Sequence, residues 1–153
     1  MSGVELVLAF LAGVVMGGHE HGQLPFAAMS RRARADDPVI AASVAWMDEH
    51  PETPSPVTAM VERSGLTPRT FARRFAAATG RRPIEHVHGV RVERAREMLE
   101  LGALPVDDVG YAVGYEDPTF FRRLFKRTTG LTPAAYRRKY AVIFGLRETD
   151  STT

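Results

Sequence analysis

From Pro38 onward apolar residues recur at intervals of three and four, the spacing that gives a helix one buried face. Phe71 and Phe75 share such a face, and so do Phe121 and Phe125, because residues four apart on a helix lie one above the other. Proline and glycine cut the pattern into short segments. Asp37-Pro38, Ser55-Pro56, Thr67-Pro68, Asp117-Pro118 and Thr132-Pro133 each set a side-chain acceptor before a proline, the order of an N-cap and an N1 proline. Gly65, Gly80, Gly102, Gly114 and Gly130 stand where segments stop and a left-handed C′ residue is favoured. Alternating strand patterns with Asn-Gly or Asp-Gly hairpin signals are absent. The expectation is an all-α domain with helices near 38–49, 56–64, 68–79, 83–101, 105–113, 117–129 and 133–140.

The chain also spells one helix twice, as "TFARRFAAATG" at 70–80 and "FFRRLFKRTTG" at 120–130. Val57 and Gly65 match Val106 and Gly114 at an offset of 49, and beyond the turn Phe71, Arg73, Phe75, Gly80 and Pro83 match Phe121, Arg123, Phe125, Gly130 and Pro133 at an offset of 50. The second copy therefore has one extra residue in its turn. Each copy is a short helix, a glycine-containing turn and a second helix that starts at an N-cap, which is the sequence form of a helix-turn-helix.

Helical geometry sorts the residues of each second helix. With the phenylalanine pairs facing inward, Arg69 and Arg73 lie on the opposite face of the first, and Thr119, Arg123, Lys126 and Arg127 on that of the second. A helix in the major groove of DNA reads base edges with its N-terminal half, where arginine pairs bidentately with guanine, while cations further along meet phosphates. Arg69, Arg73, Thr119 and Arg123 are therefore the base-reading candidates. Lys126 and Arg127, the flanking Arg74 and Arg122, and Arg82 are the phosphate candidates.

Between the copies, Pro83 to Leu101 carries Ile84, Val87, Val92, Ala95, Met98 and Leu99 at helical spacing. At 1.5 Å per residue this linker helix is about 28 Å long, approaching the roughly 34 Å between successive major grooves on one face of DNA. It suits two reading heads held one turn apart.

Charge and cysteine usage sharpen the picture. Of the 16 Lys and Arg residues between 38 and 141, 14 are arginine, whose planar fork fits phosphates and guanine edges better than a lysine does. With no cysteine, the chain has no disulfide framework, thiolate metal cage or cysteine nucleophile, and a cytoplasmic location is expected. "VELVLAFLAGVVM" at 4–16 is shorter than the roughly 20 residues that span a bilayer and carries Glu5, so it is read as an extra N-terminal helix and not a membrane span.

These residues resemble the AraC/XylS transcriptional regulators. The resemblance covers 38–140 and is most specific in "GYEDPTFFRRLFKRTTGLTPAAYRR" at 114–138, with "RVERAREML" at 91–99 and "SGLTPRTFARRF" at 64–75 in support. It implies a seven-helix DNA-binding domain with two helix-turn-helix units joined by a long helix. It also implies that Arg69, Ala72 and Arg73 face bases in the first unit, and Thr119, Phe120 and Arg123 in the second. Two departures stand out, Val61 and its counterpart Gly110, where the family favours alanine; Gly110 inside a helix is expected to cost about 1 kcal/mol relative to alanine. "HGQLPF" followed by "AWMDEHPE" is similar to the junction in members with an amidotransferase-like sensor. The domain plan is then 1–37 as an N-terminal apolar helix and linker, a remnant of such a sensor, 38–141 as the DNA-binding domain, and 142–153 as a tail.

Enzymatic chemistry finds little support. His86 and His88 in "EHVHG" are two apart on a helix and diverge, while His19 and His21 in "GGHEHG" lack further ligands, so neither a metal nor another cofactor is expected. The reading is a sequence-specific, double-stranded DNA-binding transcription regulator that is not an enzyme. RNA polymerase and self-association through the N-terminal helix are its further expected partners. The alternative is a helical protein-interaction module that acts through a partner without sequence-specific DNA binding of its own.

Overall fold

Helices account for about three quarters of residues 36–141, the part of the chain that the computed structural model describes. They are α1 (Pro38–Glu49), α2 (Pro56–Ser64), α3 (Pro68–Thr79), α4 (Pro83–Leu101), α5 (Val106–Ala112), α6 (Pro118–Thr129) and α7 (Pro133–Tyr140), and no strand occurs among the described residues. All seven expected helices are present. α5 is shorter than expected by one residue at each end, and α6 starts one residue later, because Asp117 is its cap and not its first residue. The apolar segment 4–16, the histidine-bearing linker and the tail from 142 lie outside the described residues.

Four of the five expected N-caps form. Asp37 accepts from the Ile40 N–H at 3.3 Å, Thr67 from Thr70 at 3.3 Å, Asp117 from Thr119 at 2.9 Å and Thr132 from Ala135 at 3.2 Å. Ser55 does not cap α2: its backbone is left-handed at φ 45°, outside the extended region from which a cap hydroxyl reaches the first turn. At the other ends Gly65, Gly80 and Gly130 take the left-handed conformation, with φ of 70°, 74° and 83°. Gly102 departs from that expectation. It is extended, at φ −122°, and a Cβ there would stand 3.1 Å from the Met98 carbonyl, so closeness and not handedness selects glycine.

Two separate cores follow from the repeat. The first gathers Ile40, Val44, Met47, Met60, Phe71, Phe75 and Val87. The second gathers Val92, Ala95, Leu99, Val109, Val113, Tyr115, Phe121, Leu124, Phe125 and Tyr136. The linker helix α4 is a wall of both, giving Val87 to one and Val92, Ala95 and Leu99 to the other. Ile84 was expected on that apolar stripe but is 40% exposed, because in the first turn of α4 the buried positions are taken by Pro83, His86 and Val87. Burying each of the four phenylalanines contributes about 1.5–3 kcal/mol, so each pair anchors its own unit.

Gly110 also departs from expectation. A Cβ on it would sit 2.7 Å from Cδ1 of Phe121, so the position admits no side chain, and alanine would not relieve the cost expected of an interior glycine.

The two histidines of α4 diverge as their spacing requires. His86 is buried edge-on against Phe75 in the first unit, with Nε2 3.4 Å from Asp48 Oδ1. His88 faces the second unit, where its Nδ1 lies 2.7 Å from the Tyr115 hydroxyl. Two arginines are buried on the same helix. Arg96 donates to the Tyr136 hydroxyl at 3.0 Å and to Glu93 at 2.7 Å, while Tyr136 donates to the buried Glu100. Burial and the Glu100 carboxylate push the Tyr136 hydroxyl well above its ordinary pKa. Arg91 reaches the other way, to the first unit.

Candidate nucleic-acid interface

α3 and α6 are the second helices of the two units, and sequence fixes how each presents itself. Thr67 and Asp117 set the starts, Pro68 and Pro118 fix the first backbone angle, and the ring pairs Phe71–Phe75 and Phe121–Phe125 lock the inward face, with centroids 5.6 and 5.8 Å apart. With that face buried, Arg69, Ala72 and Arg73 on α3 are all exposed, as are Thr119, Phe120 and Arg123 on α6. Every base-reading candidate is therefore on an open face. Among the described residues Arg69, Arg73, Arg123, Lys126 and Arg127 make no ion pair or side-chain hydrogen bond, so their charges face solvent uncompensated.

The phosphate candidates divide. Lys126 and Arg127 are exposed on the last turn of α6, and α3 has no cation in its last turn, so the second unit carries the denser positive end. Arg82 is also exposed but pairs with Glu85 at 3.0 Å across the start of α4. Arg122 pairs with Asp107 on α5. Arg74 does not face outward as a free cation. Its Nε and Nη2 donate to the two oxygens of Asp37 at 2.9 and 2.7 Å, clamping α3 to the N-terminus of α1, and this pair holds the Asp37 carboxyl below its ordinary range. A lateral phosphate role for Arg74 therefore has to compete with a bidentate bridge, because a carboxylate matches the guanidinium fork as well as a phosphate does.

Phe120 is 40% exposed, which is unusual for a phenylalanine on a cationic helix face. Its ring rests against Tyr115 and His88, with both centroids 5.7 Å away, so its position is set by a three-ring cluster that spans α4 and α6. Burial, with Arg91 and Arg127 nearby, lowers the His88 pKa below its ordinary value. Burial likewise raises the Tyr115 hydroxyl to about 12.

Sequence reasoning missed Arg91 and Tyr115 as contributors. Arg91 looks like an ordinary polar member of an amphipathic helix and Tyr115 like a turn residue, and the acceptors of Arg91 are backbone carbonyls of Pro51 and Thr53, which no side-chain motif announces. His50, the C-cap of α1, meets the end of its helix through Nδ1, 2.9 Å from the Trp46 carbonyl, while its ring stacks on Trp46. No group of three or more His, Cys, Asp or Glu that could hold a metal occurs among the described residues, and the His19 and His21 pair lies outside them. No helix among the described residues is long and apolar enough to cross a membrane.

Two capped helices with open cationic faces, held on either side of a shared linker helix, define a double helix-turn-helix domain. Comparison with known proteins gives the family. Residues 60–139 match the family described as "Helix-turn-helix domain". The DNA-binding domain of AdpA, a global transcriptional factor solved in complex with a target DNA, is 34% identical, superposes with a TM-score of 0.66, and aligns over 70% of this chain and 96% of its own. The MmsAB operon regulatory protein of Pseudomonas aeruginosa is 37% identical over 95 residues, 62% of this chain and 31% of its own length. GlxA, a helix-turn-helix-type transcriptional regulator of Rhizobium meliloti, is 29% identical over 110 residues, 72% of this chain and 34% of its own. The chain belongs to the AraC-type helix-turn-helix family. It spans about a third of the length of the curated relatives it matches.

Proposed function

We propose that this chain is a sequence-specific double-stranded DNA-binding transcription regulator that places α3 and α6 in successive major grooves. One observation carries the reading: the same construction occurs twice, a capped helix with two buried phenylalanines behind and exposed arginines in front. A single solvated arginine face has many uses, but two such faces joined by one linker helix suit a bipartite site on the duplex. In this reading Arg69, Ala72, Arg73, Thr119, Phe120 and Arg123 meet base edges. Lys126 and Arg127 meet phosphates, Arg82 and Arg122 join them by exchanging a carboxylate partner for a phosphate, and Arg74 contributes mainly by holding α3 in place. The division of the chain at residues 38 and 141, RNA polymerase and self-association through residues 4–16 as further contacts, and a cytoplasmic location are parts of the same proposal. AdpA, 34% identical, was solved on a target DNA, which supports the DNA-binding part.

Binding to labelled duplex, measured across a salt series, tests it. Counterion release makes log K fall linearly with log salt, with a slope near −0.9 per phosphate neutralised. A steep slope together with preference for a selected site over random duplex is the expected result. Binding to neither would leave the domain as a protein-interaction module.

A further inference from the structure

We propose that Arg91 is a positioning residue that sets the angle and spacing between the two reading helices, and through them the half-site spacing the protein accepts. Arg91 lies on α4 and is only 6% exposed. Its Nε donates to the Pro51 carbonyl at 2.7 Å and its Nη2 to the Thr53 carbonyl at 2.9 Å, both in the loop between α1 and α2 of the first unit. The same guanidinium lies over the ring of Tyr115, 4.9 Å from its centroid, in the turn between α5 and α6 of the second unit. That turn is shaped around it. Gly114 has φ +108°, and a Cβ there would stand 2.7 Å from Nη2 of Arg91, so the backbone comes closer to the guanidinium than a larger residue would allow. Tyr115 is held in turn by His88 at 2.7 Å and carries the ring of Phe120.

One planar cation thus binds a loop of the first unit by two hydrogen bonds and a turn of the second by its face. The two cores are otherwise separate clusters that share α4 as a wall. A helix alone resists bending but leaves each unit free to roll about its own packing surface, whereas a link away from the helix axis opposes that roll. Lysine could not replace it, since a compact ammonium offers no rigid fork for two carbonyls and no plane to stack on a ring.

The positioning role is measured without DNA. The chain has no cysteine, so Ala77→Cys on α3 and Thr128→Cys on α6, both exposed, give two unique sites for spin labels and a distance distribution between the units. A narrow distribution is expected for the parent and a distinctly broader or shifted one for Arg91→Met. Circular dichroism confirms that the helices persist, and Arg91→Lys, which keeps the stem and the charge, should fall between them. A distribution in Arg91→Met as narrow and as centred as the parent's overturns the proposal; should that variant not fold, an unchanged distribution in Arg91→Lys does so.

The spacing consequence rests on the DNA-binding reading and has its own readout, duplexes carrying the selected site with two base pairs inserted between its halves. That insertion turns one half by about 70° relative to the other, and the parent should lose about 100-fold in affinity as simultaneous engagement fails. Arg91→Met should lose less than about tenfold on the same insertion, from a weaker start. An equal loss in parent and variant overturns the spacing consequence. A parent that prefers no sequence overturns the DNA reading, while the distance distribution still decides the role of Arg91.

Discussion

Gly110 and Phe121 meet across the second unit so closely that a Cβ on the glycine would stand 2.7 Å from the ring's Cδ1. Phe121 is fully buried and flanked by Phe125 and Tyr115, so its ring has no room to withdraw. Gly110→Ala normally gains about 1 kcal/mol inside a helix. Here overpacking costs about 1–3 kcal/mol, and the expected result is a lower Tm despite the better helix former. Thermal melts of the two proteins decide it, and a raised Tm would show that the ring can move.

The aromatic pairs should behave as core and not as contact residues. Phe125→Ala removes a fully buried ring from the second cluster and is expected to cost about 3–5 kcal/mol. Urea unfolding monitored by circular dichroism checks this. The first unit has its own core, so its helices should persist after the second has melted.

Cations of similar appearance should separate by salt dependence. Arg74 is already bridged to Asp37, whereas Arg127 is exposed at the end of α6 without such a bridge among the described residues. Arg127→Ala should lower the magnitude of the salt slope by about 1 with little change in Tm. Arg74→Ala should do the reverse, lowering Tm as α3 loses its tie to α1, with the slope nearly unchanged. Paired melts and salt titrations read both, and a slope loss in Arg74→Ala would return it to the phosphates.

Stability should also fall at mildly acidic pH through His88. Its folded pKa lies below the ordinary value of 6.5, from burial first and then from Arg91 and Arg127. The unfolded chain therefore takes up a proton at a higher pH than the folded one, so stability is complete above 6.5 and falls as pH drops through it. The Tyr115 hydroxyl that faces the ring stays protonated throughout. Asp37 acts in a separate window: Arg74 holds its carboxyl below 3.8, so that contribution is lost only as pH falls through that value. Melts between about pH 7 and pH 5 should show a decline, and His88→Gln should flatten it.

The helices, their order and the outward faces of α3 and α6 were legible in the sequence because periodicity and capping are local codes. Thr67 and Thr70, or Phe71 and Phe75, stand within one turn of each other, so spacing alone relates them. What spacing could not give are the long-range meetings. Arg74 and Asp37 are 37 residues apart, and "FARRF" puts Arg74 at the flank of the helix without showing the carboxylate that clamps it there. Arg91 is further hidden because backbone carbonyls of Pro51 and Thr53 receive it. Gly110 read as a defect because a sequence counts helix propensity and does not show the ring of Phe121 against it. Ser55 matched the cap code by identity and missed it by backbone angle, which is set by the loop after α1 and not by the residue.

Site selection from a random duplex library, at near-physiological salt, tests the central claim most directly when run in parallel with Arg73→Ala and Arg123→Ala. The account predicts a bipartite motif with halves about one helical turn apart. Each variant should blur one half while the other stays sharp, with a cost of about 1–3 kcal/mol on the parent's site. Enrichment of no sequence by the folded parent, or equal losses on selected and random duplex in both variants, would contradict the claim that the repeated helix is a pair of reading heads.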